Sequence, residues 1–198
     1  MNKNIISAVV SGGLFLLLIL LVSFVDVQTV PATGMEMGLS HINFAFSNLI
    51  GVNPLLYKLT TVLGIFLILV VVWFGLKGLM QLILRKSLLK VDREILTLGG
   101  LYVVLALVYV FFEKVIINYR PIIMEGETEA EASFPSSHTM LVCVVMGSAI
   151  MLLGRYIKDE KIRRVLKIVF YLVIAVTVLG RLFSGVHWLT DILGGVLI

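Results

Sequence analysis

Five apolar runs, at residues 5–25, 59–76, 95–112, 136–153 and 165–182, each reach the roughly 18 residues that mark a membrane-crossing helix. At about 1.5 Å of rise per residue, such runs match a hydrocarbon core roughly 30 Å thick. The second run stays apolar as far as Leu84. Lipid offers no partner to backbone N–H and C=O groups, so only helices or closed barrels can cross it. Composition agrees: of 198 residues, 60% are hydrophobic and 14% charged, far less charge than a soluble surface carries. The expected fold is all-α, an integral-membrane six-helix bundle making one polytopic domain over residues 1–198. Its sixth helix starts near His187 and is cut short at Ile198, because the stretch 187–198 rises only about 18 Å. The first run is long for the apolar part of a leader peptide and no small-residue cleavage pattern follows it, so it reads as a retained helix.

The charges set the orientation. Lys77, Arg85, Lys86, Lys90 and Arg93 lie between the second and third runs, and Arg155, Lys158, Lys161, Arg163, Arg164 and Lys167 between the fourth and fifth. Positive loops stay cytoplasmic. Lys3 then places the N-terminus inside, and the loops 26–58, 113–137 and 183–186 face outward. The net charge of +4 is accounted for by topology and by anionic lipid head groups, with no call for nucleic acid as a partner. The one cysteine, Cys143, falls inside a helix, which excludes a disulfide framework and a thiolate metal cluster. In the first outward loop, Phe44, Phe46, Leu49 and Ile50 follow His41 at roughly helical spacing, as in an interfacial amphipathic helix. Gly12, Gly13, Gly75, Gly78, Gly99 and Gly100 read as close helix contacts.

The outward side holds almost all the unusual polar residues. In "GRLFSGVHWLTDILGG", a helix beginning near Val186 would put His187 and Asp191 at i and i+4 on one face. The carboxylate would then fix the imidazole tautomer and leave the other ring nitrogen as a nucleophile or base. Arg181 offers a planar guanidinium to phosphate oxygens. In "FPSSHTM", Pro135 suits a helix start, Ser136 or Ser137 can cap it, and the free N–H groups make an anion site beside His138. Each piece alone also fits a structural role, a His–Asp pair joining helices or a capped helix end. In "FFEKVIINYRP", proline disfavours helix at the preceding residue, so the third helix should end near Tyr119 and leave Arg120 in the turn with Lys114 nearby.

The three pieces, in order on consecutive outward loops, resemble the signature of the type 2 phosphatidic acid phosphatase superfamily, K-x6-R-P, P-S-G-H and S-R-x5-H-x3-D, over residues 113–191. The resemblance implies a lipid phosphatase with its active site at the outer ends of the helices, in a bacterial plasma membrane. It implies His187 as the nucleophile that forms a phosphohistidine, Asp191 as its orienting partner and His138 as general acid. Arg120, Arg181, Ser136 and the Ser137 backbone would hold the phosphoryl oxygens, with Lys114 as a further cation. No metal or other cofactor is implied. The substrate would be a lipid phosphate or pyrophosphate: undecaprenyl pyrophosphate, phosphatidylglycerophosphate or phosphatidate. The competing readings are a phosphotransferase using the same intermediate and a non-catalytic lipid-phosphate binder or transporter.

The sequence departs from that signature in three places. Ser137 stands for glycine and Gly180 for serine, and Lys114 and Arg120 are one residue closer than the pattern, so that Glu113 occupies the face where lysine is expected. The segment "EGETEAEAS" sets Glu125, Glu127, Glu129 and Glu131 at a period of two. It reads as a solvated loop, or as a contact for a cationic or hydroxyl-rich head group or a divalent ion.

Overall fold

The computed structural model describes residues 3–198. Its helices are α1 (Lys3–Phe24), α2 (Ser40–Ile50), α3 (Pro54–Arg85), α4 (Arg93–Lys114), α5 (Ser137–Tyr156), α6 (Glu160–Phe183) and α7 (Leu189–Leu197). A two-stranded hairpin, β1 (Gln28–Thr29) with β2 (Glu36–Met37), precedes α2. Of the helices, α1, α3, α4, α5 and α6 are long and apolar enough to cross a membrane. The five apolar runs of the sequence fall on these five helices. α7 has 9 residues. The chain is an all-α integral-membrane bundle.

α5 is the centre of the bundle and packs against α3, α4, α6 and α7. Val142, Met146 and Ala149 on α5 are fully buried in the main core, whereas Leu16, Ile68, Val103 and Leu107 on α1, α3 and α4 are more than 60% exposed. That outward apolar belt is the surface a bilayer covers. α3 has 32 residues, about 48 Å of helix, more than a hydrocarbon core requires. Asn53 caps it by accepting from the N–H groups of Leu55 and Leu56 at 3.1 Å, with Pro54 in its first turn.

Two seams hold together the end of the bundle at which α5 begins. Where α7 crosses α5, a Cβ on Gly195 would lie 2.8 Å from both the Ser136 carbonyl oxygen and Thr139 Cβ. Only glycine permits that approach. α1 closes the other side, with Phe15 stacked on Phe134 at 6.0 Å and edge-on to Phe112 at 5.8 Å. The start of α2 is tied down by Asp26, which accepts from the His41 N–H at 2.8 Å and lies 2.6 Å from its ring nitrogen. His41 therefore has a structural partner remote from the other two histidines.

Three expectations change. α4 ends at Lys114, not near Tyr119, because the chain turns extended there and Asn118, Tyr119 and Arg120 pair with Glu131, Ala132 and Ser133. α7 begins at Leu189, so His187 precedes the helix. Of the six glycines expected at helix contacts only Gly78 has a neighbour, Ile95, within reach of an added Cβ; Gly12, Gly13, Gly75, Gly99 and Gly100 face open space. Gly195→Val should accordingly lower the thermal midpoint in detergent by about 3–10 °C, as overpacking of roughly 1–3 kcal/mol does. Gly99→Val should move it by no more than about 1 °C. Equal shifts for the two would show that the α5–α7 seam is not close-packed.

Candidate active site

The ends of α4, α5, α6 and α7 meet on one side of the bundle, and the backbone stitches the three sequence motifs together there. The Ser136 N–H donates to the Asp191 carbonyl at 2.9 Å. Trp188 Nε1 donates to the Tyr119 carbonyl at 2.7 Å. The extended strand before Pro121 therefore leans on the α6–α7 turn, which in turn holds the start of α5. Asn43 on α2 fastens the same turn from outside, donating to Thr190 Oγ1 at 3.1 Å.

These bonds enclose a cavity of about 520 Å³ lined by Arg120, Ser137, His138, His187 and the acidic residues Glu113, Glu129 and Glu131. Ser136, Arg181 and Asp191 sit directly behind its wall, each fully buried. His138 interacts electrostatically with Arg181, His187 and Arg120, so the two histidines and two arginines form one cluster. Of the expected site residues, Lys114 alone lies apart: it is the exposed last residue of α4, and Glu113 lines the cavity instead. Ser137, in the glycine position of the signature, is the first residue of α5 and leaves the cavity open.

His187 Nδ1 lies 3.5 Å from Asp191 Oδ2. That is an ion-pair contact and too long for a formed hydrogen bond; Oδ2 accepts instead from the Trp188 N–H at 2.9 Å. The i, i+4 pairing expected on a helix is thus achieved across a helix start, with Nδ1 toward the carboxylate and Nε2 left for the cavity. Burial holds the His187 imidazole below its ordinary value of 6.5, Asp191 opposing this and the two arginines reinforcing it. Ser136 occupies the N-cap of α5 but makes no side-chain cap, and its Oγ is buried without a protein partner.

The arginines carry the main chemical signal. Arg120 Nη2 pairs with Glu131 Oε2 at 3.0 Å. Arg181 Nη2 donates to Thr61 Oγ1 at 2.9 Å, and its guanidinium carbon lies 4.7 Å from the Tyr57 ring centroid. In both arginines Nε and Nη1 are buried with no acceptor among the described residues. Buried donors are almost always satisfied, and two guanidinium groups held by one edge and unpartnered elsewhere have the chemistry to take an oxyanion. Among the described residues no group of three or more His, Cys, Asp or Glu is placed to hold a metal ion.

Tyr57, Thr61 and Glu131 were not identifiable from the sequence as arginine partners. Thr61 stands 120 residues from Arg181, with no local pattern to mark it. The nearest hint was Gly180: a Cβ there would sit 2.5 Å from Thr60 Cγ2, so the serine of the signature does not fit against α3. Thr61→Val removes the acceptor of Arg181 with little change in volume. A hydrogen bond to a charged group is worth about 1.5–3 kcal/mol, so orthovanadate should bind roughly 10- to 100-fold more weakly, with Thr61→Ser close to wild type. Unchanged vanadate inhibition in Thr61→Val would show that α3 does not position Arg181.

Three comparisons with known proteins bear on the site. A family model described as the PAP2 superfamily matches residues 95–198. No curated protein matches the chain. Among solved structures, the fold is similar to the crystal structure of the first transmembrane PAP2-type phosphatidylglycerolphosphate phosphatase from Bacillus subtilis, with a TM-score of 0.63 and 20% identity, covering 96% of this chain and 89% of that one. At that identity the likeness establishes a shared fold.

Proposed function

The chain belongs to the PAP2 superfamily, and from that membership and its site we propose that it is an integral-membrane phosphatase acting on lipid phosphates through a phosphohistidine on His187. The observation that carries this reading is the pair of arginines, fully buried Arg181 and half-buried Arg120, whose Nε and Nη1 atoms are buried without a protein partner beside two histidines. A bare binding pocket needs the guanidinium groups but has no use for a His–Asp pair.

The reaction follows from the placement. A phosphate drawn to Arg120, Arg181, Ser136 Oγ and the free N–H groups of the first turn of α5 has its equatorial charge neutralised. His187 Nε2 attacks phosphorus while Asp191 stabilises the charge that appears on the ring. As the P–O bond to the leaving group breaks, His138 gives that oxygen its proton. Water then attacks the phosphohistidine, His138 takes back a proton, and inorganic phosphate is released with His187 restored.

An apolar groove of about 400 Å³ between α3, α5 and α6 also reaches His138 and is bounded by Gly64, Ile65, Ile68, Leu141 and Val145. A ligand whose phosphate lies among the arginines can leave its hydrocarbon there, which supports a lipid substrate. The solved neighbour, by its description a phosphatidylglycerolphosphate phosphatase, agrees in substrate class. The basic clusters lie at the helix ends opposite the site, which by the positive-inside rule supports a cavity on the outer face of the membrane, in this reading a bacterial plasma membrane. A cysteine at Glu127 should react with a membrane-impermeant maleimide in intact cells, and one at Lys158 only after lysis; the reverse pattern inverts the topology.

The purified full chain should release phosphate from lipid phosphates, with and without chelator. His187→Ala should reduce this to background, and His138→Ala should slow it by about 10²- to 10⁴-fold. Activity that survives His187→Ala would refute the covalent mechanism, and abolition by chelator would refute a metal-free one. The nucleophile must be neutral, and burial lowers the pKa of His187, so neutral His187 persists to more acid pH than an exposed histidine would. The acid limb of kcat/KM due to His187 should lie below pH 6.5, the ordinary value. Asp191→Asn removes the group favouring protonation and should move that limb further acid while lowering kcat; a limb moved to higher pH would contradict this placement.

A further inference from the structure

Three carboxylates on the cavity wall take no part in the phosphoryl chemistry. Glu113 comes from the last turn of α4, and Glu129 and Glu131 from the segment that returns toward α5; all three line the cavity with Arg120, His138 and His187. Tyr109, one helical turn before Glu113, interacts with both Glu113 and Glu131, so the two sources of negative charge converge. A second observation points to a ligand at this wall. Ser133 also lines the cavity, is 3% exposed, and its Oγ has no protein partner.

The wall is not arranged for a metal ion, since no group of three such ligands comes together among the described residues. It is also wrong for further negative charge. A second phosphate on the substrate would face three carboxylates, with Arg120 the one arginine among the cavity-lining residues. Carboxylate oxygens and a serine hydroxyl accept hydrogen bonds. Their complement is a group rich in donors, hydroxyls or an ammonium, held next to the scissile phosphate. His138 lines the same cavity, and the group it protonates is the leaving alcohol, so that alcohol is the part of the substrate that meets the wall.

We propose that Glu113, Glu129, Glu131 and Ser133 form a leaving-group subsite that selects lipid phosphomonoesters whose leaving alcohol carries hydroxyl or ammonium donors, and that disfavours lipid diphosphates. This rests on the phosphatase reading and narrows its substrate. In the reaction the P–O bond breaks toward the donor-bearing alcohol, which takes its proton from His138 and leaves neutral at that oxygen. Glu131 has a second duty, because its Oε2 holds Arg120; Glu113 and Glu129 are exposed side chains with no such role.

The test is kcat/KM of the purified full chain on four substrates: lysophosphatidate for a hydroxyl without a second phosphate, sphingosine 1-phosphate for an ammonium beside a hydroxyl, phosphatidate with neither, and an isoprenyl diphosphate. Wild type should favour one or both donor-bearing monoesters over the last two by about tenfold or more, and which of the two leads identifies the donor. Glu113→Lys and Glu129→Gln, at exposed positions tolerant of change, should each erode that ratio several-fold through KM, with Glu113→Lys gaining on the diphosphate. Ser133→Ala should act in the same direction, and Glu131→Gln should lower all four together by loosening Arg120. Unchanged ratios in Glu113→Lys and Glu129→Gln, or a wild-type preference for the diphosphate, overturns the subsite and leaves the phosphatase reading standing. Hydrolysis of none of the four overturns both.

Discussion

A fully buried arginine with three of its five N–H donors unpartnered is the constraint around which this end of the bundle is built. Removing a guanidinium from water costs several kcal/mol unless charge and hydrogen bonds are supplied in return. Arg181 receives a threonine oxygen and an aromatic face from α3, and no carboxylate pairs with it. The fold tolerates this because α3, α5 and α6 pack together around the residue, away from the lipid-covered surface. What remains unsatisfied is directed charge, and directed charge in a site of low polarisability is what a phosphoryl group in transfer requires.

Seen from Arg181, the two halves of the site are built alike. Each arginine is fixed at Nη2 by an oxygen from another segment, Thr61 for Arg181 and Glu131 for Arg120. Each keeps Nε and Nη1 free of protein acceptors. Fixing one edge removes rotamer freedom before the ligand arrives, so less order has to be imposed on binding. The difference lies in the partner. A threonine leaves the positive charge of Arg181 uncompensated, whereas a carboxylate offsets that of Arg120.

The bilayer made most of this fold legible. Spans are read from unbroken apolar runs, and the five runs fall on the five long helices. The motifs of the candidate site were legible because ionisable residue types are costly at a helix end in lipid and so stand out against the apolar runs. Contacts between distant segments were not legible. Thr61 meets Arg181 and Asn43 meets Thr190 across 120 and 147 residues, and no local periodicity encodes either. His187 shows a milder version: i, i+4 spacing did bring it to Asp191, yet through a helix start that orders the pair differently from a continuous helix.

The shortened first motif shows where counting along a helix misleads. An i, i+6 pair points about 120° away from an i, i+7 pair only if the helix continues. Here it stops at Lys114, and Asn118, Tyr119 and Arg120 run as an extended strand paired with Glu131, Ala132 and Ser133. The strand, not the helix, places Arg120. The face presented to the cavity is then set independently by the last turn of α4, where Glu113 follows Tyr109 at i+4. The spacing one residue shorter than the signature therefore leaves Arg120 on the cavity and puts Glu113, in place of a lysine, on the same lining. The bridge between Tyr119 and Ala132 brings Glu131, and Glu129 just before it, to the same cavity lining. The short spacing and the acidic loop, which look like separate irregularities in the sequence, become a single feature of the cavity, three carboxylates on one lining.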